Sequence, residues 1–195
     1  MAAVGLVGYA VLGGPSATTA STESVTEQSS APLPQPRLVP AAWERPGTPR
    51  EVRIPRLGVR AEVLPVATRG DTLVPPADPT ELGWWAEGVE PGRPGRALIA
   101  GHTVHTGGGA LDDLETLGRG DRVVVEGDRS TSRWVVTSVD VLGKGDLAGQ
   151  AQRLFRQDGP ARLVLLTCED WDGTRYLSNV VVTAVPADEQ GVAGG

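Results

Sequence analysis

Cysteine is almost absent from this sequence of 195 residues, in which Cys168 is the only one. A single cysteine excludes an intramolecular disulfide and a four-cysteine zinc site. Cys168 is then either a small buried hydrophobic residue, which is the commoner role of a free cysteine, or a reactive thiol. The sequence on either side of Cys168 is needed to distinguish these two roles.

Clusters of basic residues are also lacking. Lys144 is the only lysine, the remaining basic residues are arginines that form no run, and the formal net charge is −6. Because nucleic-acid-binding proteins normally carry a basic patch or stripe, we expect no nucleic-acid partner.

Hydrophobic runs are short. Residues 1–13 are apolar (MAAVGLVGYAVLG), but a transmembrane helix needs about 20 apolar residues. A signal peptide begins with positive charge, and no Lys or Arg precedes Arg37. The segment is either a signal-like core or the end of a membrane anchor that starts upstream of Met1. We favour the anchor, through which the protein would contact the membrane.

Residues 14–50 are rich in Ser, Thr, Pro and Ala and have no apolar periodicity. Such a segment cannot bury enough apolar surface to offset its chain entropy, so we predict a flexible linker. An apolar start, a linker and a globular domain favour a tethered enzyme at the extracytoplasmic face of the cell membrane. A disordered tail on a cytosolic protein is the alternative. We also expect residues 188–195 to form a disordered tail.

Residues 51–187 contain short apolar runs separated by turn residues, in a chain with 26 Gly and 16 Pro. The run EVRIPRLGVRAEVLPVA predicts two strands interrupted by Pro55 and Gly58. We predict seven or eight strands, a helix over residues 146–157, another before Gly118 and a helical turn at Asp78. Turn signals about every 8–12 residues favour a mostly-β sandwich or barrel.

Three reactive side chains fall at predicted strand ends, where a rigid scaffold usually carries function. His102 follows ALIAG, Cys168 follows RLVLLT, and Arg175 opens RYLSNVVV. A thiolate is a nucleophile, an imidazole transfers a proton, and a guanidinium stabilises an oxyanion. Together these three residue types predict acyl transfer.

The pieces IPRLGVRAEV, GWWAEGVEPGRPGRALIAGHT, LLTCED and RYLSNVVVTA occur in this order between residues 51 and 185. In these motifs the sequence resembles a sortase, most closely the actinobacterial class F group, with class E as the alternative. The resemblance implies a closed eight-stranded β-barrel with two or three short helices.

The resemblance also implies cleavage of a sorting signal such as LPXTG between Thr and Gly, through a thioacyl enzyme. The partners would be a sorting-signal peptide of a secreted protein and an amine of a cell-wall precursor or another surface protein. Transferred by motif, Cys168 is the nucleophile, His102 the acid/base and Arg175 the stabilising arginine. In many relatives the arginine lies further beyond the cysteine, whereas Arg175 follows Cys168 by seven positions (175 − 168) and is the only arginine after it.

Three more residues near the cysteine are candidates for oxyanion or substrate binding: Glu169 through its backbone N–H, Thr167 and Trp171. Trp171 lies three residues after Cys168 and either lines a peptide groove or packs in the core, whereas for Trp84 and Trp85 we favour packing.

Other functions remain open at this point. His102 and His105 could form a metal pair with Cys168 or Asp112, but the spacing alone does not make a metal site, and we expect neither a metal nor a cofactor. A non-catalytic surface-binding barrel and a hydrolase that releases peptide without an amine acceptor are the alternatives to a transpeptidase.

Overall fold

A computed structural model describes residues 47–70 and 72–187. The apolar segment 1–13, nearly all of the predicted linker 14–50 and the predicted tail 188–195 lie outside these residues. The first strand begins at Pro49, just inside the predicted end of the linker. No helix in the described part of the chain is both long enough and apolar enough to cross a membrane.

The described residues form ten strands and one α-helix. In chain order they are β1 (Pro49–Ile54), β2 (Val59–Val66), β3 (Thr68–Arg69), β4 (Thr72–Leu73), β5 (Leu82–Trp85), β6 (Arg96–Ala100), β7 (Arg122–Gly127), β8 (Thr131–Gly143), α1 (Lys144–Leu154), β9 (Arg162–Trp171) and β10 (Tyr176–Pro186). Eight strands close into a barrel in the order β1-β2-β5-β6-β9-β10-β8-β7, and β3 pairs with β4 in a separate two-stranded sheet. The predicted mostly-β, closed eight-stranded barrel is therefore confirmed.

Two strand pairs of the barrel are parallel, β2 with β5 and β6 with β9. Parallel neighbours need a crossover connection, and between β6 and β9 that connection contains β7, β8 and α1. Because β6 and β9 run in the same direction, their carboxyl ends meet at one edge of the barrel. This topology places the segments that contain His102 and Cys168 side by side.

The first two strands form the predicted pair. Pro55 begins a 3-10 turn, Pro55–Leu57, which ends at Gly58 in the left-handed conformation (φ 66°). Proline suits the first position of such a turn because it has no N–H to leave unpaired, and glycine adopts positive φ without strain. The two residues that interrupt the apolar pattern are thus the ones that reverse the chain.

Strand β9 is buried on both faces. Leu163 and Leu165 point into the barrel interior, whereas Val164 and Leu166 pack in a second apolar cluster with residues of α1. A strand that is covered on both sides reads as a continuous apolar run, which explains the sequence ARLVLLTC. Cys168 continues the outer set.

Helical structure is shorter than the sequence predicted. The helix expected over residues 146–157 is α1, Lys144–Leu154, and the helix expected before Gly118 is only a 3-10 turn, Leu114–Thr116. At Asp78 the chain makes a turn in which the carboxylate accepts the N–H of Thr80. Local apolar spacing identified where the chain coils, but tertiary contacts set how far each coil extends.

Candidate active site

The register between β6 and β9 brings together the segments that contain the predicted nucleophile and the predicted acid/base. Ala100 is paired with Leu166, and one residue further Gly101 N donates to the Leu166 carbonyl oxygen at 3.0 Å. His102 and Cys168 each lie two residues beyond the Ala100–Leu166 pair, His102 after the end of β6 and Cys168 inside β9. Neighbouring strands lie about 4.8 Å apart, so the two segments run close together.

Glycine at position 101 lets the chain pass close to the core just before His102. A Cβ atom on Gly101 would lie 2.5 Å from Leu82 Cδ2 and 2.9 Å from Leu111 Cδ1. Such distances are shorter than carbon contacts allow. The Gly-His pair of the sequence therefore joins a packing requirement at Gly101 to the predicted acid/base at His102.

The His102 ring is oriented by a backbone carbonyl. Its Nε2 lies 2.7 Å from the carbonyl oxygen of Pro76, in the segment after β4. Because a carbonyl oxygen can only accept, Nε2 carries the hydrogen in this contact. Nδ1 is then the nitrogen that can exchange a proton with a reacting group.

Thr167, inside β9, links that strand to the segment that contains His102. Its hydroxyl lies 2.8 Å from Thr103 Oγ1 and donates to the Gly101 carbonyl oxygen at 3.2 Å. The residue is 1% exposed. The structure therefore places Thr167 between the two strands, where it braces the His102 segment, and its predicted part in substrate binding stays a prediction.

The loop after His102 is held by one carboxylate. Asp112 accepts the backbone N–H groups of Val104 and Gly108, each at 2.7 Å, and of Gly109 at 2.9 Å. A Cβ atom on Gly109 would lie 2.5 Å from the His102 carbonyl oxygen, so the loop folds back tightly against His102.

We expect Asp112→Ala to lower the free energy of unfolding by about 1–3 kcal/mol, because three N–H groups lose their acceptor. Asp113→Ala is the matched control, since Asp113 is exposed and an exposed substitution costs within about 0.5 kcal/mol. Urea unfolding of the two variants checks the prediction. Equal midpoints for both variants would show that Asp112 does not hold the loop.

Cys168 lies within a strand and not at its end. The sequence predicted that the strand stops at the cysteine, but β9 continues to Trp171 because it pairs with β10 as a long hairpin. The residue is 6% exposed. Its sulfur accepts from Asn179 Nδ2 at 3.7 Å and from Lys144 Nζ at 3.8 Å.

Asn179 is the residue paired with Cys168 across the hairpin, and it is 1% exposed. Its amide nitrogen also donates to the Thr167 carbonyl oxygen at 3.1 Å, and its amide oxygen accepts from Lys144 Nζ at 3.5 Å. Both ends of the amide are thus used, which fixes the direction of the donor that faces the sulfur.

Arg175 occupies the turn between β9 and β10 and not the strand that it was predicted to open, since β10 begins at Tyr176. Its side chain is 76% exposed and its Nε lies 3.8 Å from Asp172 Oδ2. The N–H groups of Arg175 and Thr174 donate to Asp172 and lower the pKa of that carboxyl group. In the described part of the chain Arg175 makes no hydrogen bond with Cys168, so its role stays a prediction.

Three rings connect the hairpin to the loop after His102. Trp171 stacks on His105 with ring centroids 4.5 Å apart and lies 5.0 Å from Tyr176. The Tyr176 hydroxyl donates to the Thr103 carbonyl oxygen at 2.7 Å and accepts the His105 N–H at 2.8 Å. Trp171 is half-buried and packs in this ring cluster, and its predicted part in a peptide groove stays a prediction.

The other tryptophan and oxyanion candidates are placed as follows. Trp84 is buried in the barrel core, and the Trp85 indole donates to the Glu87 carboxylate. Glu169 pairs with Ser178 in the hairpin, and its backbone N–H as an oxyanion donor stays a prediction.

A barrel with a histidine just after one strand and a cysteine in the parallel neighbouring strand is consistent with the motifs found in the sequence. A family model described as the sortase domain matches residues 52–187. The chain belongs to the sortase family.

Solved sortases share the fold of this chain. Sortase C-1 from Actinomyces oris aligns with a TM-score of 0.55 at 19% identity, over 70% of this chain and 72% of that one. A lid mutant of sortase A from Corynebacterium diphtheriae gives 0.58 at 20% identity, over 74% and 72% of the two chains. The pilus-related sortase C of Group B Streptococcus gives 0.58 at 14% identity, over 76% and 72%. A comparison with curated proteins found no match.

The sortase fold brings in three residues that sequence reasoning did not assign to the site. Pro76 acts through its carbonyl group, which every residue possesses, so no sequence signal marks it. Asn179 precedes the valine run of β10, and its pairing with Cys168 needs the hairpin register. Lys144 is separated from Cys168 by 24 positions, and its only sequence signal is that it is the sole lysine.

Proposed function

We propose that this sortase is a cysteine transpeptidase that cleaves an LPXTG-like sorting signal between Thr and Gly and transfers the acyl group to an amine. The observation that supports the proposal is the parallel β6–β9 register, in which Ala100 pairs with Leu166, two residues before His102 and Cys168. A nucleophile beside a proton-transfer group is the arrangement that acyl transfer requires.

The reaction proceeds in two steps. The Cys168 thiolate attacks the threonine carbonyl carbon, forming a C–S bond and an oxyanion. Collapse of this intermediate breaks the C–N bond, and the leaving glycine amine takes a proton from the His102 imidazolium. In the second step an incoming amine attacks the thioester and loses a proton to His102. The C–S bond then breaks and the thiolate is restored.

Arg175 is proposed to stabilise the oxyanion or to hold the backbone of the sorting signal. Its guanidinium group is exposed, and its ion pair with Asp172 is a single long contact. The guanidinium can therefore leave Asp172 and bind a substrate oxygen instead. The Glu169 backbone N–H is the proposed second donor, and Trp171 is the proposed wall of the peptide groove.

We expect Arg175→Ala to lower kcat by about 10²-fold, the usual loss when one oxyanion donor is removed. Arg129→Ala is the matched control, because Arg129 is an exposed arginine in the turn between β7 and β8. Steady-state kinetics on a fluorogenic sorting-signal peptide measures both variants. A kcat for Arg175→Ala equal to that of Arg129→Ala would remove Arg175 from the mechanism.

The proposed function is tested by incubating the protein with an LPXTG-type peptide, with and without triglycine as the amine, and identifying products by mass spectrometry. Transpeptidation yields the peptide joined to triglycine. Release of free acid only, unchanged by the amine, indicates a hydrolase. Neither cleavage nor a thioacyl adduct on Cys168 for any peptide of a sorting-signal library indicates a non-catalytic binding barrel.

The same proposal places the enzyme at the extracytoplasmic face of the cell membrane, held there through residues 1–13. The acceptor would be an amine of a cell-wall precursor or of another surface protein, and the sequence motifs favour class F over class E. Family membership supports a cell-envelope enzyme in general, and the acceptor amine is what distinguishes cell-wall attachment from joining of surface proteins.

A further inference from the structure

Lys144 lies at the thiol although it is far from it in sequence. It is the first residue of α1 and directly follows β8. The register carries it there, because Leu142 of β8 pairs with Asn179 of β10, and Asn179 pairs with Cys168 of β9. The Nζ atom is consequently 3.8 Å from Cys168 Sγ and 3.5 Å from Asn179 Oδ1.

The charge of Lys144 has no acidic partner among the side chains that the structure describes. Its contacts there are a sulfur atom and an amide oxygen. A half-buried ammonium group is more stable beside an anion than beside neutral groups. The thiolate form of Cys168 is the anion that fits this position.

Cys168 is 6% exposed and belongs to the outer apolar cluster. That cluster also contains Leu147 and Leu154 from α1, Val66 from β2 and Leu73 from β4. Among the described side chains, the charged or titratable groups on the elements around the site include Lys144 on α1, His102 and His105 after β6, and, on the β9–β10 hairpin, Tyr176 with the Asp172 and Arg175 pair. Tyr176 is engaged by the loop after His102, and Arg175 is exposed and paired with Asp172. Of the cationic side chains whose contacts are described, Lys144 is the one that touches sulfur.

We propose that Lys144 is the electrostatic partner of the catalytic thiol, and that its ammonium group stabilises the Cys168 thiolate while Asn179 orients both. Little water separates the charges in this apolar setting, so their attraction is stronger than at an exposed site. The catalytic benefit, a larger fraction of attacking thiolate and a better leaving group in the second step, rests on the proposed transpeptidase function. The effect on the thiol itself does not.

The test is the pH dependence of alkylation by iodoacetamide on the full chain, in which carbon–sulfur bond formation releases iodide. Because Cys168 is the only cysteine, mass spectrometry reports on one site. For Lys144→Met we expect the midpoint of the profile to rise by about one pH unit, since an opposite charge at this range shifts a titration by about one to three units.

The two profiles should also cross. Thiolate nucleophilicity rises with basicity with a slope of about 0.4–0.5, so a one-unit rise makes the Lys144→Met thiolate about threefold faster when fully ionised. Below both midpoints the variant should be about threefold slower, because the tenfold loss of thiolate outweighs that gain. Lys144→Arg keeps the charge and should restore the wild-type midpoint.

A Lys144→Met profile that superimposes on the wild type, with the protein folded by circular dichroism, overturns the proposal and leaves Lys144 as a support for Asn179. If Lys144→Met does not fold, acetylation of the folded wild type removes the same charge, because Lys144 carries the only side-chain amine. A reversible mixed disulfide protects the Cys168 thiol from acetylation and is reduced afterwards. The proposal then requires the same rise in the midpoint of the alkylation profile. No sorting peptide is used, so this result is independent of whether the proposed transpeptidation is observed.

Discussion

Cys168→Ala is expected to abolish cleavage of an LPXTG-type peptide, with a fall in kcat of at least about 10⁴-fold, because a covalent mechanism loses its nucleophile. No second thiol can take over, since the chain contains no other cysteine. The measurement is fluorogenic peptide cleavage under single-turnover conditions, together with intact-mass detection of the thioacyl adduct.

Loss of fold must be separated from loss of chemistry in this variant. Cys168 packs in the outer apolar cluster with Leu166 and Leu147, and alanine removes only one sulfur atom from that cluster. We expect the free energy of unfolding to fall by about 1–2 kcal/mol, near the centre of the range for single substitutions. Cleavage by a folded Cys168→Ala protein at the wild-type rate would refute the covalent mechanism.

His102→Gln is expected to lower kcat by about 10²–10⁴-fold, the range that a positioned general acid/base contributes. Glutamine retains an N–H donor that can reach the Pro76 carbonyl oxygen, so the orienting contact is preserved while proton transfer is lost. Steady-state cleavage of the fluorogenic peptide at one fixed pH measures the loss.

The chain offers an internal control for this experiment, because its only other histidine is His105. The His105 ring stacks on Trp171, so His105→Gln removes a stacking partner but no group that exchanges protons with the thiol. We expect a loss of less than about tenfold, in line with the free energy of one aromatic pair. Equal losses in the two glutamine variants would show that His102 acts by packing and not by proton transfer.

How much could be predicted from the sequence differs between strands and helices. The interruption at Pro55 and Gly58 predicted β1 and β2 because proline and glycine have strong local preferences. The helix near Gly118 was predicted too long because helical spacing over a few residues is a weak local signal. There the N–H of Leu111 donates to the His102 carbonyl oxygen. This bond, to a residue nine positions earlier (111 − 102), holds the backbone in a loop instead of a helix.

The position of Cys168 shows the same limit. An apolar run that ends at a polar residue predicts the end of a strand, but the hydrogen bonds of β9 depend on β10 and extend three residues further. The thiol is therefore more deeply buried than a strand-end residue, and the groups that touch it come from the partner strand and from α1. Arg175 was predicted to lie in a strand, and the turn closed by Asp172 holds it outside.

The sequence by itself determined that the protein has one thiol, and its motifs placed that thiol in a closed β-barrel with His102 and Arg175 as predicted partners. Those inferences depend on residue type, local periodicity and the order of short motifs, all of which are properties of the linear chain. Only the tertiary structure decided that the strand before His102 runs beside the strand of Cys168, that the Pro76 carbonyl group orients the His102 ring, and that Lys144 contacts the sulfur. Strand register and crossover bring together residues up to 66 positions apart (168 − 102), and no local pattern encodes such distances.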